Sequence, residues 1–145
     1  MKLNKIIALF FIILAMILGI IFYLAIEFPD NLFGYFKKEY YSQYGPLAIC
    51  IELLLAGYYL FRKHAKVNFT LALFAFTVLL DAIFNLFGLF SSPLPVYAMI
   101  LFSTCAIISI WLAFTDTFNL GKISLIGALT SFVLGNIVEL FFNYW

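Results

Sequence analysis

The stretch Val67–Phe90, VNFTLALFAFTVLLDAIFNLFGLF, limits what this chain can fold into more than any other segment. It holds 24 residues with one charge, and that charge, Asp81, lies deep inside it. At a helical rise of ~1.5 Å per residue the run is about 36 Å long, enough to cross a bilayer with some tilt. A surface helix of a soluble domain does not stay apolar on every face for that length. The segment therefore reads as a membrane helix that carries a carboxylate, with Asn85 one turn further on. Ionisable groups inside membrane spans are expensive, and the default reading of one is functional.

The composition agrees. Of 145 residues, 66% are hydrophobic and 10% charged, where soluble domains run near ~25% charged. The fold class expected is an all-α integral membrane protein, one membrane domain over residues 1–145. A net charge of +1, with no basic stripe, argues against nucleic acid as a partner. Cys50 and Cys105 both sit in apolar segments without CxxC or Cys/His spacing. Neither a disulfide scaffold nor a metal centre is expected from them, and no motif identifies a cofactor.

Five spans follow from the apolar runs. A basic start, Met1–Lys5, precedes an uncharged run over 6–26, read as an uncleaved signal anchor. Glu27 and the Pro29-Asp30 pair end it, because proline disfavours helix for the residue before it. The segment 31–44, NLFGYFKKEYYSQY, places Leu32, Phe33, Phe36, Tyr40 and Tyr44 near helical spacing. It is expected as a short amphipathic helix in the membrane interface, with Asp30 as its N-cap. The remaining spans are 46–61, 67–90, 94–115 and 123–145, joined by a basic turn at 62–66, Ser91-Ser92-Pro93, and a turn through Asn119, Gly121 and Lys122. Asp116 is expected as a solvated cap of that last turn. Lysine and arginine counting sets the orientation. With the N-terminus cytoplasmic, one side holds Lys2, Lys5, Arg62, Lys63, Lys66 and Lys122 and the other only Lys37 and Lys38. An odd number of spans then leaves the C-terminus, Asn143-Tyr144-Trp145, outside.

Depth within the spans groups the polar residues. Counted from the outer ends at helical rise, Glu52 lies about 9 Å in, Asp81 about 13 Å and Asn85 about 7 Å. Glu139 and Asn136 come to about 9 and 13 Å, and Ser103 and Thr104 to about 12–13 Å. Four helices thus place polar groups in one layer, and no lysine or arginine lies at that depth. A buried, unpaired carboxylate usually takes up a proton or a cation. The candidate binding residues are Asp81, Glu52, Glu139, Asn85, Asn136, Ser103 and Thr104.

Gly135-Asn136-Ile137-Val138-Glu139 resembles the Gly-Asn-x-x-Asp motif of lipoprotein signal peptidases, and Phe118-Asn119 resembles part of their Phe-Asn-x-Ala-Asp. Here the pieces occur in reverse order, Glu139 replaces the first catalytic Asp, and Gly121 or Lys122 stands at the second. The family's chemistry is not carried over. Three function classes remain open. The first is a bundle whose acidic pocket binds a cation or a cationic, amphipathic small molecule, for transport or sensing. The second is an accessory or assembly subunit whose polar layer locks helices together, with a homo-oligomer or membrane-complex partner. The third is a membrane-embedded lipid-modifying enzyme using paired carboxylates as acid and base.

Overall fold

Five long helices in a row leave little choice of architecture: each is too apolar to face water and must pack against another or face lipid. The computed structural model describes residues 2–88, 95–116 and 121–144. Among these residues the structure is all helical: α1 (Leu3–Leu24), α2 (Lys38–Tyr41), α3 (Gly45–Arg62), α4 (Val67–Leu86), α5 (Val96–Phe114) and α6 (Leu125–Tyr144). All except α2 are long and apolar enough to span a membrane. The residues expected to end the third span and to open the fourth, 89–94, lie outside the described residues, as do Asn119 and Trp145.

Helix α4 is the centre. It packs against α3, α5 and α6, while α1 packs on α3. Burial follows: α4 is inward-facing on most of its circumference, including Leu71, Ala72, Phe74, Ala75 and Val78. In α1, burial is confined to the stripe Asn4, Ala8, Phe11, Ala15, Leu18 and Phe22. That stripe has the three-to-four residue spacing of one helical face. Where α1 crosses α3, Gly57 lets the backbones meet. A Cβ there would stand 3.1 Å from the Ala8 carbonyl oxygen and 2.9 Å from Ile12 Cγ1. Small residues at such crossings are how helices associate when lipid removes the hydrophobic drive.

The segment after α1 is not one helix. It is a 3₁₀ turn over Leu32–Phe36, the four-residue α2, and a second 3₁₀ turn over Ser42–Tyr44 that runs into α3. Its cap is Asn31 and not Asp30: the first turn starts at Leu32, so the residue ahead of it is Asn31, whose Oδ1 accepts from Gly34 N at 2.8 Å. Gln43 ties this segment to the end of α1, since its side-chain amide accepts from Glu27 N at 2.6 Å and donates to Glu27 O at 3.0 Å. Between α5 and α6, Asp116 Oδ1 accepts from Gly121 N at 2.9 Å, and Ile123 N donates to Ala113 O at 2.8 Å.

Candidate functional site: a carboxyl cluster on the central helix

Three carboxylic side chains from three helices come together beside α4, toward the end of the bundle where α3 begins and α4 and α6 end. Asp81 is 2% exposed, Glu139 3% and Glu52 9%. The Asp81 and Glu139 carboxyl groups lie within hydrogen-bonding reach of each other, and Glu52 is close enough to act on Glu139 electrostatically. A bond between two carboxyl groups requires a proton on one of them, because an ionised carboxylate only accepts.

Helix α6 reaches this place through a seam of small residues. Its buried positions Ser131, Gly135 and Glu139 recur every fourth residue, on one face. Gly135 sits against α4: a Cβ there would lie 3.2 Å from Thr77 N and 3.3 Å from Thr77 Oγ1. Asp81 is one turn beyond Thr77 and Glu139 one turn beyond Gly135. The Gly135–Thr77 crossing therefore sets the two carboxyl groups opposite each other.

Thr77 also carries the third acid. Its Oγ1 is 3.2 Å from Glu52 Oε1 and 2.8 Å from its own helix's Leu73 carbonyl. A hydroxyl has a single hydrogen, and the shorter contact to Leu73 O claims it. The longer contact is satisfied when a protonated Glu52 donates to Thr77 Oγ1 as acceptor. Among the described residues, Glu52 Oε2 is buried without a hydrogen-bond partner. That is tolerable for a neutral acid and costly for an anion.

The other four candidates sit apart from this triad or at its rim. Asn85 is exposed, one turn past Asp81. Asn136 is half-buried, and its Nδ2 donates back to Phe132 O at 3.0 Å. Ser103 is half-buried; Thr104 is exposed, with Oγ1 donating to Ile100 O at 2.9 Å. Both belong to α5, which packs chiefly on α4 and not on α6. The fully buried hydroxyl of α5 is Ser109.

Sequence reasoning missed Thr77, Ser131 and Gly135, although each stands four residues from another member of the site (Thr77-x₃-Asp81, Ser131-x₃-Gly135-x₃-Glu139). Chemically, the cluster can hold protons and can accept donors from a cation. Among the described residues, no group of three or more His, Cys, Asp and Glu is arranged to hold a metal ion. No protein-family model, no curated protein and no solved structure matches this chain.

Proposed function

We propose that the chain is a multi-pass membrane protein, N-terminus cytoplasmic and C-terminus outside, whose Glu52, Asp81 and Glu139 bind a cation or a cationic, amphipathic small molecule for transport or sensing. The meeting of three acids from three helices, in a layer without lysine or arginine, carries this reading. Helices can be locked together with serine, threonine and asparagine at far lower desolvation cost. A proton between Asp81 and Glu139 is what an arriving cation would displace, so proton and cation compete for one site. The orientation rests on the six-to-two asymmetry of basic residues across the spans. The segment 31–44 lies in the outer interface as a broken amphipathic stretch, supported by the strong exposure of Leu32, Phe33 and Phe36.

The rival reading, a cluster that only locks the bundle, is favoured by one observation: Thr77 touches Glu52 and Gly135 at once. Melting of the purified protein in detergent with Na⁺, K⁺ or tetraphenylphosphonium separates the two. Binding raises stability by mass action, about 2.7 kcal/mol at a hundredfold excess over Kd. At least one of these cations should raise the wild-type melting temperature, less so as pH falls and protons compete. The effect should vanish in Asp81→Asn while the variant still folds. If none of the three stabilises the wild type and Asp81→Asn simply melts lower, the locking role stands.

A further inference from the structure

At the opposite end of the bundle, α1 begins and α3 ends side by side. Between them is an open cleft of about 690 Å³ lined by Lys2, Lys5, Phe61, Arg62 and Lys63. Four of its five lining residues are cationic and none is acidic. The Lys5 ammonium sits 5.2 Å above the Phe61 ring, which holds that charge in the cleft. Two features run against what the helices alone prefer. Cations at the start of α1 oppose its dipole, and its first turn has no side-chain cap and no acidic residue. Lys63, at the end of α3, adopts φ 49°, ψ 44°, a left-handed conformation that favours glycine. Lysine thus stands at a position where glycine would be easier for the backbone.

We infer that this cleft binds the phosphodiester headgroup of an anionic membrane lipid. The charge is complementary, and basic pockets between helices at the membrane edge are suited to anionic headgroups. What selects a lipid over a free anion is continuity with an apolar surface. Leu3 and Ile6 on α1 and Tyr58 on α3 are each about half exposed next to the cleft, in position to lie along the acyl chains of a lipid whose headgroup is seated there. The site lies at the far end of the bundle from the carboxyl cluster, and its test does not depend on what that cluster binds.

The experiment is native mass spectrometry of the purified protein released from phosphatidylcholine nanodiscs doped with phosphatidylglycerol. The wild type should retain phosphatidylglycerol in preference to phosphatidylcholine. Each cleft cation removed should weaken retention about fivefold, so Lys5→Gln with Arg62→Gln should weaken it about 25-fold. Lys66→Gln with Lys122→Gln removes the same charge outside the cleft and should leave retention unchanged. Lys63→Gly separates binding from folding. It should lower retention about fivefold, yet leave stability in phosphatidylcholine alone unchanged or higher. Equal losses from the two double variants would mean a diffuse surface charge and overturn the site. Displacement of the lipid by inorganic phosphate at matching concentration would reassign the cleft to a free anion and overturn the lipid.

Discussion

Gly135 offers a way to disturb the carboxyl cluster without touching an acid. A Cβ at this position would lie 3.2 Å from Thr77 N and 3.4 Å from the Phe76 carbonyl carbon. Comfortable contacts between heavy atoms fall near ~3.5–4.0 Å, so alanine must push α6 outward by a few tenths of an ångström. These neighbours are backbone atoms of the central helix and cannot swing aside as a side-chain end would. The overpacking should cost about 1–3 kcal/mol, against which alanine regains about 1 kcal/mol in helix propensity. Gly135→Ala should therefore be mildly destabilised, with the Asp81–Glu139 contact kept. Leucine is different. Interaxial distances vary by about 2 Å with the side chains at a crossing, and a displacement on that order exceeds the reach of an O–H···O hydrogen bond. Gly135→Leu should incur the overpacking cost in full and also lose the hydrogen bond between the two acids, about 0.5–1.5 kcal/mol more. The assay pairs thermal melting in detergent with infrared spectra of the protonated-carboxyl region in H₂O and D₂O. The wild type and Gly135→Ala should show a hydrogen-bonded acid band that Gly135→Leu shifts or loses. Val133→Leu, on the half-exposed side of the same helix, should change neither reading. If Gly135→Leu melts with the wild type and keeps the band, α6 is not seated on α4 at this crossing, and the account of how the acids meet is wrong.

Two further outcomes follow from the same geometry and from the orientation. Thr77→Val removes the only hydrogen-bond partner of Glu52 that the described residues provide and should cost about 1–3 kcal/mol; Thr77→Ser should recover most of it, and melting curves of the pair test both. A reporter active only outside the cytoplasm, fused after Trp145, should be active, while one that works only inside should be silent; the reverse pattern would invert the topology.

Much of this protein was legible in its sequence because lipid imposes one rule: a spanning segment must satisfy its own backbone and be apolar enough to stay. That rule yields five helices and marks Glu52, Asp81 and Glu139 as out of place. It does not reveal which face of each helix is inward, since lipid and protein interior are equally apolar and α4 reads alike all round. Tertiary structure decided that. It placed α4 at the centre, used Gly57 and Gly135 as crossing points, and sorted the polar residues by what each can do alone. Thr104 and Asn136 carry donors, and each turns back to its own helix's carbonyl four residues earlier. An ionised carboxylate has no donor to give. It must look beyond its own helix for a proton or a hydroxyl, as Glu52 does at Thr77 of the neighbouring helix.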